Sequence, residues 1–266
     1  MNNVRTVSDT KRAFYNAHTR PINSLYRRVV EELMVEMHLL SVNVNFQYNA
    51  IYALGVVTSF DRFMLGYRPE QDLASIFSAL CQAVESDPHK YRQDAQQVLG
   101  DAAQLSVDDL MAFGHSETSQ ALSNTALLGD SLQGVANNPQ FKYSRLWAIG
   151  LYTIVETIEA AAVEDPARLK EILEPLCERM HFSFDKLQKD LDIYRSNLEK
   201  LEQARIVMED ILKADRKKRE QRQSTEGQST EGQPESKSEE GQSAESQSHS
   251  GEQAATAPSE SQDAEA

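Results

Sequence analysis

The chain has 266 residues and a formal net charge of −14, from 41 Asp and Glu against 27 Lys and Arg. An acidic chain whose bases are not interleaved with aromatic residues is a poor match for a phosphate backbone, so no nucleic-acid partner is expected. The charge is also unevenly placed: from Ser224 onward there are nine Glu and Asp263 against Lys237, so that stretch carries −9 and the preceding body only about −5.

The stretch after residue 222 is Ser, Glu, Gln, Gly, Ala and Thr without aromatic or branched aliphatic residues. Such a composition buries too little to offset the entropy of ordering, and residues 223–266 are expected to be a disordered acidic tail. Cys81 and Cys177 sit in apolar settings, SALCQAV and EPLCERM, and read as reduced thiols packed in a core. The N-terminus, MNNVRTVSDTKRAF, shows no signal or transit pattern, so the protein is expected to stay in the compartment that makes it.

Apolar residues recur with a period near 3.6, broken at Pro and Gly, which predicts an all-α fold. A first helix is expected over Asp9 to Ala17 and a second over Ile22 to Leu40, with Ile22, Leu25, Val29, Leu33, Met37 and Leu40 on one stripe. Leu39 to Phe60 is then uncharged for 22 residues, roughly a membrane span in length. Ser41, Asn43, Asn45, Gln47 and Asn49 crowd its first half, however, where hydrocarbon leaves their hydrogen bonds unmet. It divides into an extended connector, Val42 to Asn49, and a buried helix from Ala50 stopped at Gly66.

Pro69 suits the first turn of the next helix, with Glu70 and Asp72 placed for its dipole. Helices follow over Pro88 to Leu99 and, behind a Ser106–Asp109 capping box, to Phe113. Gly114 to Asn138 reads as loop-rich. A strong helix is expected over Gln140 to Ala162, and another from Asp165-Pro166 that Pro175 kinks or ends. From Ser183 the residues Phe184, Leu187, Leu191, Tyr194, Leu198 and Leu201 step by three and four, a coiled-coil-like seam. A helix from there to Arg219 is about 55 Å long. The predicted organisation is a single helical-bundle body over 1–181, a long coiled-coil-like helix over 182–222 and the tail.

No enzymatic motif survives inspection. Gly129-Asp130-Ser131-Leu132 matches the nucleophile string of a lipase and esterase group, but no clear strand precedes it and no Asp-x-x-His follows. The six His have no metal spacing and read as solvated or capping, and no phosphate-binding glycine loop is present. No catalytic, metal or cofactor site is therefore expected. The one basic cluster runs from Lys213 to Arg222. With Arg205, which breaks the seam's register, its Lys213, Arg216, Lys217, Lys218 and Arg219 are the candidate interaction residues, toward an acidic partner or an anionic membrane surface. Tyr194 and the break at Arg205 disfavour a clean parallel dimer, so a monomer is expected, with a homodimer through the last helix as the alternative.

Four strings taken in order resemble the thylakoid formation protein family of cyanobacteria and chloroplasts, also described as photosystem II biogenesis factors. They are TVSDTKRAFYNAHTRPINSLYRRVVEELMVEMHLLSVN from Thr6, FQYNAIYALGVVTSFDRFMLGY from Phe46, FKYSRLWAIGLY from Phe141 and KDLDIYRSNLEKLEQA from Lys189. The likeness covers essentially the whole body and not the tail. It implies a non-enzymatic, all-helical factor for photosynthetic membrane biogenesis, associated with the membrane-bound FtsH protease that removes damaged photosystem II subunits. It also implies peripheral attachment to the cytoplasmic face of the thylakoid, in the cyanobacterial form that lacks a transit peptide. The alternative is a lipid-organising protein acting through the basic end of the last helix.

Overall fold

The structure, a computed structural model, describes residues 5–117 and 119–228, with side chains through Glu220. The described residues form α-helices and one short 3-10 helix, without a strand. Met1–Ala214 makes one compact unit; of the second, Asp215–Ala266, the described part is helix to Gln228. Most of the expected tail lies outside the described residues, and its first residues continue the last helix.

Local sequence explains where most helices begin. A Thr6–Asp9 capping box opens α1 (Val7–Ala17), and Asn23 caps α2 (Ser24–Ser41). Asn49 caps α3 (Ala50–Phe63), after which come α4 (Asp72–Ala83) and α5 (Pro88–Ala102), the latter led by Asp87 with Pro at its first position. The Ser106–Asp109 box starts α6 (Val107–Gly114). Each cap satisfies an otherwise orphaned backbone N–H and stabilises its helix by about 1 kcal/mol.

Gly114 to Asn138, read as loop, contains two helices, α7 (Gln120–Asn124) and α8 (Ala126–Ala136). The start of α8 has no side-chain cap of its own. Instead the buried carboxylate of Asp101, on α5, accepts from Leu128 N–H at 3.1 Å. The cap comes from 27 residues away, where no local pattern announces it. The helix expected from Gln140 starts later, at α9 (Arg145–Ile158), because Ser144 is extended and its hydroxyl accepts from Trp147 N–H. A short 3-10 helix, Ala160–Val163, follows. Pro175 does not end α10 (Pro166–Arg179). Its Cβ and backbone lie against Gly114, where an added methyl would meet them at 2.8 to 3.1 Å. Pro69 also departs from expectation: it precedes α4 behind a cis peptide, and Asp72 begins the helix with its buried carboxylate paired to Arg20.

The connector 42–49 carries a turn rather than extended backbone: Asn43 Oδ1 accepts from Asn45 N–H and Asn43 O from Phe46 N–H, both at 3.0 Å. The uncharged run ends in α3, where every residue from Ala50 to Phe60 is buried. This helix lies between α9 and α5, with α2 and α8 also against it. Its closest crossing is with α9, at two glycines. A Cβ on Gly55 would stand 1.6 Å from the Leu146 carbonyl oxygen, and one on Gly150 2.0 Å from that of Ile51. Backbone therefore rests on backbone. Around that contact Leu54, Trp147, Leu151 and Ile154 are wholly excluded from water, and each such large side chain contributes roughly 2 to 3 kcal/mol of burial.

Candidate functional site

The last helix, α11 (Phe184–Gln228), holds every candidate interaction residue and changes character along its length. At its start Leu187, Leu191 and Tyr194 are buried and Leu198 packs on the same core. Tyr194 meets Phe63 and Tyr152 edge to face, with centroids 5.6 and 6.4 Å apart. These positions of the coiled-coil-like seam thus face the protein's own body.

Beyond Leu201 the packing thins. Arg205 lies over the α3–α4 turn: a Cβ on Gly66, whose φ is +80°, would meet the Arg205 Cδ at 2.8 Å. Its guanidinium donates to Glu202 at 2.9 Å and Glu209 at 2.8 Å along α11. The residue that breaks the heptad register is thus one that touches the body. Met208 makes another such contact, its sulfur accepting from Asn23 Nδ2 at 3.9 Å. Around these two, Ile206, Val207, Ile211 and Leu212 are 49 to 62% exposed. Lys213 reaches Asp210 at 3.9 Å. In the second unit Arg216 pairs with Glu220 at 3.0 Å, and Lys217, Lys218 and Arg219 are exposed.

A second feature was not foreseen. Between α2, α3, α9 and the buried part of α11 lies a cavity of about 360 Å³. Its walls are mixed: Leu25, Val29 and Leu33 from α2, Phe63 from α3 and Ile149 from α9 line it together with Glu36, Asn197 and Lys200. Two charge pairs stand at its rim, Arg28 to Glu32 at 2.9 Å and Arg145 to Glu36 at 2.5 Å. Ser59 and Tyr194 also border it, but their hydroxyl oxygens are buried and present no surface to it. Arg62 stands near Tyr194 and affects its ionisation, but it is committed to Glu156 and makes no hydrogen bond of good geometry to the phenol.

The remaining candidate groups are structural. Ser131 lies inside α8, buried, with its carbonyl accepting from Asn49 Nδ2 at 3.1 Å; it is not on a strand-to-helix turn. His18 and His38, expected to be solvated or capping, are buried. The His38 Nδ1 bonds to Thr10 Oγ1 at 2.8 Å and the His18 Nδ1 to Ser75 Oγ at 3.0 Å, although the His18 backbone does cap α1. Burial pushes the Cys81 and Cys177 thiols up to about 12, which leaves them unreactive near neutrality. Among the described residues no group of three His, Cys, Asp or Glu is placed to hold a metal ion.

These features define an all-α protein built on a glycine-crossed helix pair, whose distinguishing surface is the end of its last helix. The chain belongs to the thylakoid formation protein family, whose model matches residues 6–223. It is 59% identical over 217 residues to Protein Thf1 of Nostoc punctiforme, covering 82% of this chain and 92% of that one. It is 60% identical over 216 residues to Protein Thf1 of Trichormus variabilis, covering 80% and 91%. A solved structure described as that of Psb29 shares 42% identity with a TM-score of 0.61, covering 74% of this chain and 98% of the other.

Proposed function

We propose that this protein is a non-enzymatic factor for photosystem II assembly and repair in the thylakoid, acting as an adaptor or regulator of the membrane-bound FtsH protease through α11. Membership of the thylakoid formation family supports the setting. The observation that carries the docking role is the run Ile206, Val207, Ile211 and Leu212, apolar and about half exposed on a helix that continues to Gln228. Apolar side chains grouped in this way mark interaction surfaces. No described helix is long and apolar enough to cross a membrane, which fits a peripheral attachment to the cytoplasmic face. The protein acts as a monomer, because the first part of the seam is already occupied by its own core.

The test is a pull-down from lightly solubilised thylakoids with the full chain and with a Val207→Ser, Ile211→Ser variant. The variant is expected to keep its helicity and melting temperature and to lose the protease. Equal capture by both removes α11 from the interface, and no capture by either removes the adaptor role. Cutting the chain after His181 is no substitute, since it deletes the buried Leu187, Leu191 and Tyr194.

A second reading, direct contact with anionic lipid, is favoured by the exposed Lys217, Lys218 and Arg219. It requires salt-sensitive binding of the purified protein to vesicles of anionic lipid, lost when these three residues become Glu.

A further inference from the structure

We infer that the open groove between α2 and the segments leading into α9 and α11 is a docking site for an acidic peptide segment of a partner, with apolar side chains between its carboxylates. The groove holds about 1110 Å³ and shares Arg28, Glu32, Glu36 and Arg145 with the smaller cavity described above. One wall is the row Arg27, Glu31, Val35 and Leu39, spaced by four and therefore on one ridge of α2. The other is Lys142 and Tyr143, just ahead of the Ser144 cap, with Lys186 and Asp190 from the first turns of α11.

The charges of this groove do not balance. Six bases and four carboxylates line it, in a body whose own net charge is about −5. Each carboxylate is already bonded: Glu31 to Lys11 at 2.9 Å and Tyr15 at 2.8 Å, Glu32 to Arg28 at 2.9 Å, Glu36 to Arg145 at 2.5 Å, and Asp190 to Tyr143 at 2.8 Å. Arg27, Lys142 and Lys186 are exposed and, among the described residues, make no ion pair. The Lys186 ammonium stands 4.7 Å from the centroid of the Tyr143 ring, which orients it without neutralising it. Uncommitted cations beside satisfied carboxylates select an anion, and these cations are open to one from solvent.

Shape and the remaining wall say which anion. The volume exceeds the roughly 300 to 1,000 Å³ of small-molecule pockets, so a chain segment fits better than a single small anion. From Ser24 to Leu40 the α2 wall is about 24 Å long at 1.5 Å per residue, room for about seven extended residues. Leu39 is 57% exposed in this groove, with Val35 half-buried one turn before it, so the occupant has aliphatic surface to cover as well as cations to meet. Nucleic acid, with a phosphate at every step, would set charges against Glu31 and Glu32 as well as against the bases. A flat bilayer surface does not enter a groove. None of the exposed run from Ile206 to Leu212 lines this site, so the inference does not rest on the protease reading.

The probe is a fluorescein-labelled peptide of about seven residues alternating Glu and Leu, titrated into the full-length protein by fluorescence anisotropy. The same peptide with Gln for Glu is the neutral comparison. Saturable binding of the acidic peptide is expected, weakened by added salt, with the neutral peptide roughly tenfold weaker or more. Lys142→Gln and Lys186→Gln should each weaken it about two- to fivefold, the worth of one exposed ion pair, at an unchanged melting temperature. Lys186→Arg should retain it. A variant with Lys217, Lys218 and Arg219 changed to Gln should bind as the parent does. Loss of binding in that variant instead moves the site to the far end of α11 and overturns the groove, as does absence of saturable binding or equal affinity for the two peptides. If the Lys142, Lys186 double variant loses vesicles of anionic lipid while peptide binding is unchanged, the face is a membrane contact and the peptide assignment falls.

Discussion

Ala50 to Phe60 of α3 and Ile206 to Leu212 of α11 are both rich in aliphatic residues, yet they meet opposite fates. The first is buried on all sides, with α9 so close that two glycines carry the contact. The second touches the body at Arg205 and Met208 and leaves Ile206, Val207, Ile211 and Leu212 about half in water. Hydrophobicity alone therefore does not place a segment inside. What separates the two is company: α3 is enclosed by α2, α5, α8 and α9, whereas the end of α11 leaves four aliphatic side chains about half in water.

The contrast is broken most severely at the glycine crossing. Gly55→Ala or Gly150→Ala drives a methyl into a carbonyl oxygen of the facing helix, and neither backbone can yield without moving a whole helix. A loss of about 3 kcal/mol or more is expected, read as a lower urea midpoint. A second pair of substitutions sharpens the division within α11. Leu187→Ala empties a fully buried position and should cost about 3 kcal/mol. Ile211→Ala, on the 57% exposed side chain, should stay within about 0.5 kcal/mol. Similar costs at the two sites would mean that the distal segment is covered after all.

Alkaline pH separates the regions by titration. Burial raises the Cys81, Cys177 and Tyr194 side chains to about 12, and Tyr48 and Tyr143 are raised further, mainly by burial and then by bonds to Asp94 and Asp190. The folded protein keeps protons that the unfolded chain releases above the ordinary thiol value of 9.0 and phenol value of 10.0. Their contribution is therefore complete below 9 and is lost as pH rises toward 12. The buried Cys81, Cys177 and Tyr194 each lower stability by about 1.4 kcal/mol per pH unit once past their ordinary values. The melting temperature should be flat from pH 7 to 8 and fall steeply above about 10, and Cys81→Ala should make the fall shallower.

Much of this architecture could be read from residues in sequence. Thr6, Asp87 and Ser106 announce their helices because the capping group lies within three residues of the N–H it satisfies. The places that could not be read depend on distant partners. Asp101 caps α8 from another helix, so that start is invisible locally, and Gly129 and Gly134 further disguise the helix as loop. Spacing by three and four states that Leu187, Leu191 and Tyr194 face something apolar, but not whether it is a partner or the chain's own core. The cavity is harder still, because it draws its walls from four helices that are far apart in sequence.

The smallest expected effect isolates what tethers the distal part of α11. Arg205 spans Glu202 to Glu209 on its own helix while its methylenes rest on Gly66. Arg205→Ala removes that contact but deletes no core side chain, so the global unfolding midpoint should scarcely move. Local opening is another matter, because a segment this exposed opens at low free energy. Faster amide exchange is expected from Glu202 to Ala214, with exchange in α3 and α9 unchanged. If the rates in α11 stay the same, Met208 on Asn23 alone holds the segment, and the tether lies one turn further along than Arg205.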